Sequence, residues 1–183
     1  MFEPKRIVPC VALALALAPA AQAGKFYVGA GAGSSNAELP GGTTRIDFDD
    51  TGYKAFVGYR VLRYLSAELA YTDFGSPSVT TGSTRYEADL ELAALWAVGV
   101  LALSPRLELY GRLGYTDWDA AVTVDDGTGA PVTDDGEGND LGWGVGAGYN
   151  LTPRWALQLD WENYELEDAD EVTFTSLAVR FRF

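Results

Sequence analysis

The last eight residues, Ser176 to Phe183, alternate without interruption. Leu177, Val179, Phe181 and Phe183 fall on one side, and Ser176, Ala178, Arg180 and Arg182 on the other. That is the period of an extended strand, whose successive side chains point to opposite faces. A terminal strand in a soluble sheet leaves an unpaired edge, which soluble proteins avoid. Closing the sheet into a ring removes the edge and pairs every backbone group, a condition that strands crossing a membrane must meet. The feature therefore points to the closing strand of a membrane barrel.

The other end of the chain reads as an export signal. Lys5 and Arg6 precede an apolar run from Val11 to Ala18, too short to span a bilayer as a helix. Ala21-Gln22-Ala23 supplies the small-x-small pattern of a signal-peptidase site. Residues 1–23 are expected to be a cleaved secretory signal peptide, with the cut between Ala23 and Gly24, and residues 24–183 the barrel domain. Cys10 precedes the apolar run and would leave with the signal, so disulfides are not expected. Without Glu3, Lys5 and Arg6 the chain keeps 11 basic and 25 acidic residues, a net charge of −14. That acidity argues against a nucleic-acid partner, because phosphate neutralisation needs Lys and Arg.

Alternation places eight strands, one face toward lipid and the other toward the lumen. Leu65, Ala67, Leu69 and Tyr71 oppose Ser66, Glu68, Ala70 and Thr72; Leu107, Leu109, Leu113 and Tyr115 oppose Glu108, Tyr110, Arg112 and Gly114. From Leu141 to Tyr149 the inner positions are all glycine, and Trp155, Leu157, Leu159 and Trp161 oppose Ala156, Gln158, Asp160 and Glu162. Two less regular strands run from Lys25 to Gly33 and from Thr51 to Arg60, the latter with Lys54, Phe56, Gly58 and Arg60 inward. In the strand from Glu87 to Leu103, Leu90, Leu92, Trp96, Val98 and Val100 are read as outward and Glu91, Ala93, Ala97 and Gly99 as inward. Short turns are expected around Val61 to Tyr64, Ser104 to Arg106 and Asn150 to Arg154. Long polar connections are expected over Ser34 to Asp50, Gly75 to Arg85, Asp119 to Asn139 and Glu165 to Asp170. The expected fold is all-β, an eight-stranded antiparallel up-and-down transmembrane β-barrel.

Several stretches resemble one family. They are Gly58-Tyr59-Arg60 leading into Ala67 to Gly75, Tyr110-Gly111-Arg112-Leu113-Gly114-Tyr115, and Gly146 to Trp155. Together they are similar to the small eight-stranded outer-membrane barrels typified by the transmembrane domain of outer membrane protein A and by OmpX. The resemblance implies that Phe181 and Phe183 form the signal read by the barrel-assembly machinery. It also implies a lumen occupied by salt bridges. Nothing follows Phe183, so the peptidoglycan-binding domain of larger members is not expected.

Charge sorts by position in this topology. The expected lumen network comprises Lys54, Arg60, Glu68, Glu91, Glu108, Arg112, Asp160, Glu162, Arg180 and Arg182. Lys25, Arg63, Arg106 and Arg154 mark the short-turn end, taken as periplasmic. The other 20 acids, with only Arg45 and Arg85 against them, mark the end taken as extracellular. Eight strands enclose a space that side chains fill, and charges held there must pair. Aromatic girdles are expected from Tyr71, Phe74, Tyr115, Trp118, Trp161 and Tyr164 at the outer ends of strands. Phe26, Tyr59, Tyr64, Tyr149, Trp155 and Phe183 would form the inner girdle.

These features favour a structural outer-membrane barrel supporting envelope integrity over an enzyme. The chain has no histidine and shows no catalytic, cofactor-binding or EF-hand pattern. No cofactor and no defined metal site are expected. Expected partners are membrane lipids and lipopolysaccharide, the assembly machinery during insertion, and weakly held Ca²⁺ or Mg²⁺ at the acidic loops of a monomer. A narrow ion or small-solute channel and a surface adhesion protein acting through its loops remain the alternatives.

Overall fold

The computed structural model describes residues 24–38, 47–75, 78–81, 84–125, 132–165 and 171–183. Nine strand segments follow in chain order. They are β1 (Phe26–Glu38), β2 (Asp47–Leu62), β3 (Leu65–Asp73), β4 (Ser78–Thr81), β5 (Thr84–Ala102), β6 (Leu107–Asp125), β7 (Val132–Asn150), β8 (Trp155–Tyr164) and β9 (Glu171–Arg182). Both β3 and β4 pair with β5, so they are two pieces of one stave. β1 pairs with β9, and the eight staves close into an antiparallel barrel. Ala23 of the expected cleavage site lies outside the described residues, whereas Gly24 lies just before β1.

The short turns form where the sequence places them. Ser104 Oγ accepts from the backbone N–H groups of Arg106 and Leu107 at 3.3 and 3.0 Å. Thr152 Oγ1 does the same for Arg154 and Trp155 at 3.2 and 2.9 Å. In each turn a hydroxyl two or three residues upstream satisfies donors that the ladder cannot reach.

The long connections differ from expectation. Residues 34–38 and 47–50 continue β1 and β2, residues 119–125 and 132–139 continue β6 and β7, and residues 78–81 form β4. Along these extensions the apolar/polar alternation of the sequence weakens while the backbone ladder continues. β5, β6 and β7 each run 19 residues, about twice the ~10 a tilted strand needs to cross the hydrocarbon.

The strand parities agree with the alternation except in β5. There Leu92, Ala94, Trp96 and Val98 are buried inward, and Leu95, Ala97 and Gly99 are exposed outward, the reverse of the sequence reading. β5 inherits its parity from β6 through the short turn: Ala102 faces Glu108, Val98 faces Arg112 and Trp96 faces Gly114. Directly opposed residues share a face, and Glu108 and Arg112 point inward. Glu91 is therefore exposed on the outer face and is not part of the lumen. It stands opposite Asp73 of β3 and Asp119 of β6, in the row that bounds the apolar band.

Candidate functional site

The lumen is filled in layers. Toward the long-connection end lies an aromatic layer that includes Phe74, Leu92, Trp96, Tyr164, Val172 and Phe174, each 3 % exposed or less. Ring centroids of Phe74 lie 5.6 Å from Tyr164 and 5.4 Å from Phe174, and Trp96 lies 6.0 Å from Tyr164. These are edge-on and tilted contacts of the kind aromatic pairs favour. Higher still, Trp118 turns inward and its Nε1 donates to Asp140 Oδ2 at 2.9 Å. Phe74, Trp118 and Tyr164 are thus lumen residues rather than members of the lipid-facing girdle.

Beneath the aromatics the charges converge. Lys54 Nζ lies 2.6 Å from Glu162 Oε1 and 3.5 Å from Asp160 Oδ2. Arg112 is paired with Glu162, with Asp160 Oδ1 at 2.9 Å and with Glu68 Oε1 at 3.4 Å. The side chains of all five are no more than 2 % exposed. Tyr164 donates to Glu162 Oε2 at 3.1 Å, Tyr27 to Glu68 Oε2 at 3.0 Å, and Gln158 Nε2 to Asp160 Oδ2 at 2.9 Å. The Arg112 guanidinium also lies 6.0 Å from the Trp96 ring and 5.8 Å from that of Tyr110. Each carboxylate thus has a cation and a neutral donor, as buried charge requires.

Inward glycines make room for these chains. A Cβ on Gly58 would overlap the Tyr27 ring, and one on Gly146 would strike both Tyr110 and Asp160. At the short-turn mouth, Arg180 Nη2 donates to Glu108 Oε2 at 2.7 Å, while Arg60 and Arg182 stand 3.8 Å from Glu108 Oε1. The expected lumen charges other than Glu91 therefore divide into a middle network of five and a mouth cluster of four. The sequence hides this layer because alternation in β5 reads Leu92 and Trp96 as lipid-facing. The length of the turn before β6 was the signal that could have found it.

The outside surface carries the complementary property. Leu95, Leu113, Leu141, Leu159 and Leu177 are 54–61 % exposed on the outer face of neighbouring strands. An apolar surface of this extent around a whole barrel is a lipid-contacting band rather than a water-facing wall. Phe181 and Phe183 sit at its lower edge, Phe181 against Trp155 at 4.8 Å and against Phe183 at 5.2 Å.

A closed eight-stave barrel, apolar outside and polar or packed inside, defines a small integral outer-membrane protein. Comparison with known proteins gives the family: residues 7–183 match the outer membrane protein beta-barrel domain, and the chain belongs to that family. The chain is 33 % identical over 147 residues to outer membrane protein A of Serratia marcescens, covering 74 % of this chain and 40 % of that protein. It spans less than half the length of that curated relative. Among solved structures, the attachment invasion locus protein Ail of Yersinia pestis, crystallised with the heparin analogue sucrose octasulfate, is 17 % identical. That match has a TM-score of 0.65 over 88 % of this chain and 100 % of Ail. Neisserial surface protein A is 21 % identical, with a TM-score of 0.66 over 86 % of this chain and 97 % of its own. At such identities the two structures share the fold.

Proposed function

We propose that this protein is a sealed, non-enzymatic structural barrel that supports the integrity of the outer membrane. The observation that carries the reading is the packed aromatic layer over the charge network, where Trp96, Tyr164 and Phe174 are almost fully buried. Ions entering from the long-connection side would have to pass rings rather than water. In this reading residues 1–23 are removed, the termini and short turns face the periplasm, and the acidic connections face outward. The closing strand with Phe181 and Phe183 is what the assembly machinery engages. Lipopolysaccharide lies against the outer half of the barrel, and divalent cations associate weakly with its acidic rim.

The test pairs planar-bilayer recordings of the purified barrel beginning at Gly24 with detergent sensitivity of cells lacking the protein. Silence in the bilayer and leaky cells support a structural role. Steady single-channel openings in the native protein would instead establish a channel.

Adhesion is the second reading, favoured by the height of β5, β6 and β7. Among the described residues, the part of β7 from Val132 to Asp140 pairs with β6, whereas its ladder with β8 starts at Gly142. Such a projecting edge could meet a partner outside the cell. The ligand in the Ail crystal is a polyanion, which suits this acidic end poorly. Loss of cell attachment on trimming the β6–β7 hairpin above Trp118, with detergent resistance kept, would favour adhesion.

A further inference from the structure

The short-turn mouth brings one carboxylate to three guanidinium groups. Among the described residues, Glu108 accepts a side-chain hydrogen bond from Arg180 alone. The Nη2 atoms of Arg60 and Arg182 each stop 3.8 Å from its other oxygen, close enough for ion pairing but too long for a hydrogen bond. Arg60 Nε is buried and has no hydrogen-bond acceptor among the described residues. A buried donor of this kind normally has a partner. The next acid inward, Glu68, is already engaged by Tyr27 and Arg112.

Among the described side chains of this cluster, formal charge is therefore three positive against one negative. Arg60 and Arg182 keep 20 % and 22 % of their side chains exposed, against 6 % for Arg180, so they are the members that a solute can reach. Exposed Lys25, Arg63, Arg106 and Arg154 add to the positive field at this end.

We infer that Arg60 and Arg182 form an anion-binding site at the short-turn mouth, suited to a phosphate-class oxyanion. Two guanidinium forks that share only one distant carboxylate oxygen retain N–H donors for a second acceptor. A tetrahedral phosphate presents separate oxygens to each fork, the bidentate geometry arginine favours and lysine does not provide. Glu108 stays behind the pair, held by Arg180, and limits how deep the anion goes. The phosphate can come from a soluble phosphorylated solute or from a lipid headgroup reaching over the rim.

Inorganic phosphate titrated into the purified barrel in maltoside detergent, followed by ³¹P NMR at matched ionic strength, tests the site. Saturable line broadening is expected in the native protein. It should vanish in Arg60→Gln/Arg182→Gln and persist in Arg106→Gln/Arg154→Gln. At about ten times its Kd, phosphate should raise the melting temperature by about 3–6 °C over chloride. Repeating the titration in phosphatidylcholine vesicles with and without phosphatidylglycerol separates the sources. Binding lost when the anionic lipid is present identifies a headgroup occupant, and unchanged binding identifies a soluble one. If the glutamine pair does not fold, Arg60→Lys/Arg182→Lys keeps the charge without the fork and should weaken phosphate by about threefold or more. Absence of saturable binding in the native protein, or affinity unchanged in Arg60→Gln/Arg182→Gln or in Arg60→Lys/Arg182→Lys, overturns the site.

Discussion

Three carboxylates share the guanidinium of Arg112, and no other cation in the middle lumen reaches Glu68 among the described residues. Removing the arginine leaves Glu68 with Tyr27 as its neutral donor, while Glu162 and Asp160 keep only Lys54 as a cation. Breaking a desolvated pair costs about 3–5 kcal/mol, because the surviving charge stays buried. Arg112→Ala should therefore lower the unfolding free energy in detergent by about 3 kcal/mol or more. Arg106→Ala, on an exposed turn, should change it by less than about 0.5 kcal/mol. Equal urea midpoints for the two variants would show that the network contributes no net stability. Nine of the ten candidate lumen charges, all but Glu91, are legible as types because Lys, Arg, Asp and Glu at inward parity must find one another. Their partners are not, because pairing depends on strand stagger, which alternation does not encode.

At the scale of the strand, β5 shows where alternation stops being informative. From Leu90 to Ala102 both faces are mostly apolar, since one meets lipid and the other meets the aromatic layer. A dyad pattern needs contrast between faces, and here there was little. The other staves are legible because polar or glycine inner positions contrast with an apolar outer face. Residues 24–183 contain no cysteine, so in a barrel beginning at Gly24 a single introduced thiol reports its own face. Leu95→Cys should react with a membrane-soluble maleimide in the folded barrel, and Trp96→Cys should stay protected. The opposite result would invert β5 and return Glu91 to the lumen. β9 makes a different demand, because closure awaits its pairing with β1 from Tyr27↔Arg182 to Glu38↔Glu171. Deleting Phe183 should slow insertion into membranes in vivo far more than Asp117→Asn at the opposite rim does. Equal insertion rates would remove the terminal aromatic from assembly.

Over the whole molecule the charge is polarised. Of the 25 acidic residues in 24–183, the 21 other than Glu68, Glu108, Asp160 and Glu162 fall in sequence in or beside the long connections, against Arg45 and Arg85. Asp73, Glu91, Asp119 and Glu137 stand opposite one another across four adjacent strands. Like charges directly opposed each cost about 0.2–1 kcal/mol, and the field fades over about 8 Å at physiological salt. On the proposed reading, divalent cations would gather at this rim as a loose counterion layer rather than at a built site. Relieving this repulsion, by ions or by substitution, should raise stability. Ca²⁺ and Mg²⁺ should raise the melting temperature by similar small amounts, and a chelator should abolish the gain. The Glu91→Gln/Asp119→Asn double variant should melt higher than the native protein without divalent cations and respond less when they are added. Repulsion is relieved in advance in that variant, leaving the ions less to screen. A lower melting temperature for the variant in cation-free buffer would mean that these carboxylates stabilise the wall through contacts of their own, and the row would not be a repulsive rim.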